Sequence, residues 1–173
     1  MNIHPLPKES SPVEWNHYTI RQAIPADIDT IMHQRRSMFL AMGRKDDADL
    51  AESMRTSRDF FSERIANGNY RAWLVEEVSG RVIAGAGVII FDYHSSPLDP
   101  SRRRPMVVNV YTERAHRRKG IARKLLELII EWCRAEGFNT VLLHASDEGR
   151  PLYDSLGFKP TNEMRLILRD KQI

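Results

Sequence analysis

VVNVYTERAHRRKGIARKLLELIIEWC, Val107 to Cys133, is the stretch on which the fold turns. Val107 to Thr112 is largely apolar and β-branched, as a strand requires. Ile121, Leu125, Leu128, Ile129 and Trp132 then share one face of a helix predicted over Lys119 to Glu136, which Gly137 ends. Between strand and helix stand Arg117, Arg118 and Lys119, followed by Gly120. Cations are out of place there, because the first turn of a helix carries partial positive charge and favours Asp and Glu. Unbonded amides at a helix start, a glycine that permits close approach and a cluster of basic side chains together make a phosphate site. The stretch therefore predicts a phosphorylated ligand.

Working outward, 173 residues suffice for one domain whose core needs no disulfide. Residues 1–16 contain three prolines and no apolar period, and read as a loosely ordered leader; residues 17–173 read as a single domain. The net charge of +3 is mild, and outside Arg102–Arg104 and Arg117–Lys119 the basic residues interleave with acids, so no nucleic-acid partner is expected. Cys133 is the single cysteine, which excludes an internal disulfide and a cysteine-based zinc site. The six histidines lack a metal-binding spacing, so no metal is expected. No stretch reaches the ~18 apolar residues of a membrane span and no secretory pattern opens the chain, so the expectation is a cytoplasmic protein without a membrane partner.

In chain order, His17 to Ile24 alternates as a first strand, and Asp27 is placed to cap a helix carrying Ile28, Ile31, Met32, Arg35, Met38, Phe39 and Met42. A second amphipathic segment runs to about Ile65. Tyr70 to Val78 and Arg81 to Phe91, joined by Ser79-Gly80, form an antiparallel hairpin. Asp92 to Pro105 is a Pro-, Ser- and Arg-rich loop long enough for a functional flap. After the opening stretch come a strand at Thr140 to Ala145, a short helix at Asp147 to Leu156 and a last strand at Met164 to Leu168. Strand, helix and strand across 107–145 require parallel pairing, so the chain is α+β with a mixed sheet and helices on its faces.

Arg117-Arg118-Lys119-Gly120-Ile121-Ala122 resembles the R/Q-x-x-G-x-G/A signature of the GCN5-related N-acetyltransferases. Pro151-Leu152-Tyr153-Asp154-Ser155-Leu156-Gly157-Phe158 is similar to that family's frequent LYxxLGF segment, and the element order matches as well, so the resemblance covers roughly Tyr18 to Leu168. It implies the acyl-CoA N-acyltransferase fold: a central mixed, mostly antiparallel sheet splayed between strands 4 and 5, here Val107–Thr112 and Thr140–Ala145, with helices on both faces. Acetyl-CoA is the implied cosubstrate. Its pyrophosphate would meet the turn of Arg117, Arg118, Lys119, Gly120, Ile121 and Ala122. Its pantetheine arm would pair with the backbone of Val110, Tyr111 and Thr112 like an added strand. Ser146 stands where the family more often has Asn after the fifth strand.

The implied activity is transfer of acetyl to a primary amine by direct attack in a ternary complex. Tyr153 is the implied general acid, since a phenol of pKa ~10 stays protonated and can donate to the departing thiolate. The amide of Tyr111 or Thr112 would polarise the thioester carbonyl. For the base, Glu113 is the nearest carboxylate by sequence and His144 the alternative, each with a structural role as the competing reading. Arg102–Arg104 is open to contact with an acidic acceptor, to contact with the ribose phosphate, or to plain solvation. Cys133, on the apolar side of its helix, is expected to be a core thiol. The rival to an enzyme is a non-catalytic acyl-CoA-binding module used for sensing or assembly. The acceptor, a small-molecule or peptide amine, is not selected by the fold; its determinants are expected in residues 35–47 and 92–105. A homodimer is left open.

Overall fold

Glycines make the middle of the sheet possible. In the strand running through RVIAGAGVIIF, a Cβ on Gly85 would lie 2.3 Å from Gln34 Oε1, and one on Gly87 would lie 2.3 Å from Tyr70 Oη. A helix and a buried phenol approach the backbone there more closely than any side chain allows. The computed structural model describes residues 13–97 and 99–167. Its strands are β1 (Val13–Trp15), β2 (Tyr18–Gln22), β3 (Tyr70–Glu77), β4 (Val82–Asp92), β5 (Arg103–Thr112) and β6 (Leu142–Leu143). They form one sheet in the order β1-β2-β3-β4-β5-β6, antiparallel up to β5 and parallel between β5 and β6.

The helices are α1 (Ile28–Ala41), α2 (Ala48–Ala66), α3 (Ile121–Ala135) and α4 (Arg150–Ser155). One face of the sheet packs against α1 and α2 through Ile31, Met32, Phe61, Tyr70, Ala72 and Leu74. The other packs against α3 through Val75, Val88, Ile121, Leu125, Leu126 and Ile129, with Leu152 and Tyr153 of α4 and Leu156 just after it added at the margin. Cys133 belongs to this second core, and burial pushes its thiol up to about 12, as expected of a core thiol. The mixed, mostly antiparallel sheet with helices on both faces is the architecture that the element order predicts.

The splay is present where it was expected. Only Met106↔Leu142 and Val107↔Leu143 pair β5 with β6, so Val108 to Thr112 have no β6 partner. A bulge adds to the divergence: Gly87 pairs with Val108 and Gly85 with Tyr111, leaving Asn109 and Val110 opposite Ala86. Asn109 takes the left-handed conformation, φ 56°, which asparagine tolerates better than most residues.

Five expectations need correction. The leader reading fails at its end, because Val13–Trp15 pairs with β2 through a two-residue turn with positive φ at Asn16 and His17; residues 1–12 lie outside the described residues. Asp27 precedes α1 but does not bond its amides; its carboxylate takes the Ile24 amide and both Nη groups of Arg21 instead. Arg103 and Arg104 belong to β5, which shortens the long loop to residues 93–102. The strand expected over Thr140–Ala145 is reduced to Leu142–Leu143. Such a short template cannot hold a full neighbour, and residues 159–167 form no strand, with Met164, Leu166 and Ile167 exposed; Leu168 lies outside the described residues.

Candidate active site

Gly120 caps α3 with φ 80°, in the left-handed region that an L side chain adopts only with strain. That turn delays the helix to Ile121, two residues later than the apolar pattern predicts. Lys124 is the first residue of α3 whose amide is bonded back to the turn, to Gly120 O at 3.0 Å, so the amides ahead of it stay free. No acidic residue occupies the first turn. Arg117, Arg118 and Lys119 are exposed and pair with no carboxylate among the described residues; Arg117 Nε donates to Thr112 O at 3.0 Å. Ile121 is buried beneath the turn and Ala122 half-buried. An anion of the size of a pyrophosphate therefore meets free amides, free cations and no competing acid.

The unpaired edge of β5 runs into this turn. Glu113 donates its amide to Ile83 O at 2.9 Å, so by antiparallel alternation the amide of Thr112 faces the open side and that of Tyr111 faces β4. The Thr112 hydroxyl oxygen is buried without a partner. Val110 packs on the α3 core from within the bulge. These residues fit the arm of coenzyme A as they fit its pyrophosphate: the open edge is a strand lacking its neighbour, and it ends at an anion site.

α4 is fastened to the start of α3 by Arg123 Nη2, which donates to Ser155 Oγ at 2.7 Å. This puts α4, which carries Tyr153, at the same end of α3 as the Gly120 turn. Its ring is packed against the α3 core and Phe158, and burial holds its phenol above the ordinary value. No hydrogen bond engages its hydroxyl among the described residues. Ser146 accepts the Gly149 amide on its hydroxyl oxygen at 3.2 Å, starting the α4 turn while its own proton stays free to donate.

The base candidates are drawn elsewhere. Glu113 Oε2 accepts from Arg81 Nη1 at 2.7 Å in a cluster with Glu77 and His116. His144 is exposed and 3.7 Å from Glu163. Asp92 ends β4, and His94 stacks on Tyr93. Of the arginine run, Arg104 is buried against Asp99 at 3.2 Å, while half-buried Arg103 donates to Asn69 at 3.1 Å and Arg102 is exposed.

On the α1–α2 side, Arg35, inside the segment expected to shape the acceptor pocket, meets Asn109 and Tyr70, which the sequence did not single out. Asn109 Nδ2 donates to Tyr70 Oη at 3.2 Å, and Asn109 Oδ1 accepts from Arg35 Nη1 at 2.6 Å. A polar, left-handed-tolerant residue inside an otherwise β-branched run was the available sign of the bulge. Near this network opens a cleft of about 450 Å³ lined by Phe39, Gly43, Arg44, Lys45, Asp47 and Leu50, among others, within the segment expected to shape the acceptor pocket. Missed too was the β1–β2 hairpin, whose Trp15 ring lies beside Gly120, 3.6 Å from where a Cβ would stand. Tyr18 Oη and His116 Nδ1, 3.2 Å apart, tie the hairpin to the coenzyme turn. Asn16 before His17 was its sequence signal.

A strand edge open for an extended arm, an anion cradle at its end and a phenol, unbonded among the described residues, on the helix fastened to the start of α3 make up the architecture of an acyl-CoA-dependent acyltransferase. The chain belongs to the acetyltransferase (GNAT) family, whose sequence profile matches residues 28–158. Among solved structures it is similar to a GCN5-related N-acetyltransferase from Ralstonia eutropha JMP134, at 30% identity and a TM-score of 0.82 over 87% of this chain and 98% of that one. A predicted acetyltransferase from Clostridium acetobutylicum, solved with acetyl-CoA, aligns at 25% identity and a TM-score of 0.79, covering 87% of this chain and 95% of that one. Human N-acetyltransferase 8 is 29% identical over 94 residues, 51% of this chain. That alignment spans 39% of the human protein's length. No helix among the described residues is long and apolar enough to cross a membrane.

Proposed function

We propose that the protein transfers acetyl from acetyl-CoA to a primary amine by direct attack within a ternary complex. The observation carrying this reading is the convergence of the anion turn, the unpaired β5 edge and the free Tyr153 hydroxyl at one end of the sheet. The amides ahead of Lys124, with Arg117, Arg118 and Lys119, hold the pyrophosphate. The edge from Val110 to Thr112 binds the pantetheine arm, and the outward amide of Thr112 polarises the thioester carbonyl.

The amine nitrogen bonds to the carbonyl carbon, the carbon–sulfur bond breaks, and Tyr153 gives its proton to the departing sulfur. A phenol raised by burial keeps that proton at neutral pH until the thiolate forms. Glu113 is engaged by Arg81 and His144 is turned out to solvent, so the amine proton passes to water rather than to either. Water then returns a proton to Tyr153.

Tyr153→Phe tests this assignment. Thiol release in the presence of acceptor should fall by about 10²–10⁴-fold, the usual contribution of a positioned acid, while acetyl-CoA affinity by calorimetry stays unchanged. A variant as fast as wild type would remove Tyr153 from the mechanism. Acetyl-CoA binding without transfer to any amine, in the wild type, would leave a binding module instead.

A further inference from the structure

Arg35 is the half-buried cation of the α1 face that lacks an acid. Burial pulls its guanidinium down, and no carboxylate pairs with it among the described residues. Its neighbours on the same helices are matched: Arg36 with Asp46, Arg55 with Glu52 and Arg58 with Asp29. What holds Arg35 is neutral. Nε donates to Ser57 Oγ at 3.2 Å and Nη1 to Asn109 Oδ1 at 2.6 Å, while Phe39 and Phe61 present their rings at 4.8 and 5.3 Å. A desolvated cation held only by neutral groups is costly unless an anion completes it.

The side chain is also aimed. Gly87 leaves room for the Tyr70 ring, and Tyr70, its phenol pushed up to about 12 by burial, receives the Asn109 amide proton. That contact turns Asn109 Oδ1 toward Arg35 and sets the guanidinium at the bulge, where β5 leaves β6 and the thioester is expected. Nη2 makes no hydrogen bond among the described residues, and it is not sealed from solvent. One planar edge therefore remains, suited to a carboxylate. Phe39, against which Arg35 packs, also lines the cleft of about 450 Å³, a volume in the range of small-molecule sites.

We propose that the acceptor is an amine that also carries a carboxylate, as an amino acid does, with Arg35 binding the carboxylate and so presenting the amine to the thioester. This rests on the acetyl-transfer reading above. Arg44 and Lys45 line the cleft together with Asp47 and Asp49, so those charges offset one another. The remaining guanidinium of Arg35 suits a monoanion, whereas a phosphate dianion calls for clustered cations.

The test is a panel of amino acids, each paired with its own carboxamide, plus amines bearing a phosphate monoester, with thiol release from acetyl-CoA as the readout. Losing the carboxylate makes the neighbouring amine less basic and more readily neutral, so intrinsic reactivity favours the carboxamide. A preference for the acid must then come from binding. Wild type should favour the acid by about 10- to 150-fold in kcat/KM, the worth of a charged hydrogen-bonded contact. Arg35→Gln should erase that preference through the acceptor KM, with the acetyl-CoA KM unchanged. Arg35→Lys, which keeps the charge without the fork, should retain part of it. Equal use of acids and carboxamides, preference for the phosphorylated amines, or an undiminished preference in Arg35→Gln overturns the proposal and leaves acetyl transfer standing. Acetyl-CoA binding without release on any amine overturns both.

Discussion

The start of α3 and the α1–α2 face are built on opposite electrostatic plans. At the start of α3 the charges are left open: among the described residues Arg117, Arg118 and Lys119 face solvent without a carboxylate, and the first amides of the helix have no acceptor. Across the sheet, charges are mostly closed. Arg36 holds Asp46, Arg58 holds Asp29, and Arg104 is buried with Asp99. An anion of fixed identity can be met by a generic, unsatisfied cradle, whereas selection among acceptors needs polar groups committed in advance, with Arg35 the exception on that face.

The sharpest way to break the comparison is to close the open side. A Cβ at Gly120 would stand 3.6 Å from Trp15, an ordinary contact, so space is not what excludes a side chain. Its left-handed backbone and the sign of any added charge are. Gly120→Glu should weaken acetyl-CoA by about 100-fold or more, because a carboxylate then competes with the pyrophosphate and the turn is strained. Gly120→Asn, neutral and tolerant of that conformation, should lose less than about 10-fold. Equal losses by calorimetry would make shape, not charge, the property of this turn.

A smaller effect is expected at Gly149, where the backbone is unstrained at φ −82°. A Cβ there would lie 2.8 Å from the Tyr153 ring and 3.1 Å from Ser146 Oγ. Gly149→Ala should displace the phenol and lower kcat by about 10- to 100-fold, since a small misplacement of a reacting group is enough. Acetyl-CoA affinity should not move. Loss of binding instead would mean that Gly149 serves the open cradle rather than the acid.

What the sequence disclosed follows the same division. The turn before α3 is a local property of six consecutive residues, Arg117 to Ala122, so its character as an anion cradle could be read along the chain, as could the α3 face and the β3–β4 hairpin. The network on the α1–α2 face joins residues far apart: Arg35 meets Ser57 and Asn109, and Asn109 meets Tyr70. Only the folded sheet brings these together: the segment expected to shape the acceptor pocket included Arg35, but pattern alone tied it to neither Asn109 nor Tyr70. Glu113 is the complementary case. Nearness in sequence made it a candidate base, yet its oxygen is taken by Arg81, 32 residues away. The last strand was misjudged because an apolar alternation predicts a strand only where an edge is long enough to pair with it, and β6 has two residues.

The loop of residues 93–102 allows the finest test of the closed side. Asp99 accepts from Thr140 Oγ1 at 2.6 Å, from Asn139 Nδ2 at 3.2 Å and from the Ser101 amide at 3.0 Å, besides pairing with Arg104. The Thr140 hydroxyl foremost, with Asn139, Ser101 and Arg104, holds its carboxyl below the usual range. A loop pinned in this way to the segment before β6 is a fixed wall more than a lid. Thr140→Val should lower the thermal midpoint by about 2–4 °C at neutral pH, the worth of roughly one such hydrogen bond in a chain of this size. The sign of its pH dependence is set by the direction of the shift. A carboxyl lowered on folding stabilises fully above its unfolded value of about 4, and that stabilisation is lost as pH falls through the lower folded value. Wild type and variant should therefore differ most near neutrality and converge below about pH 4. A difference that persists unchanged into acid would separate the pin from the Asp99 charge and assign it to packing of Thr140 alone. An acceptor KM that rises in the same variant would make the wall part of the acceptor site, extending the closed plan from Arg104 to the bound amine.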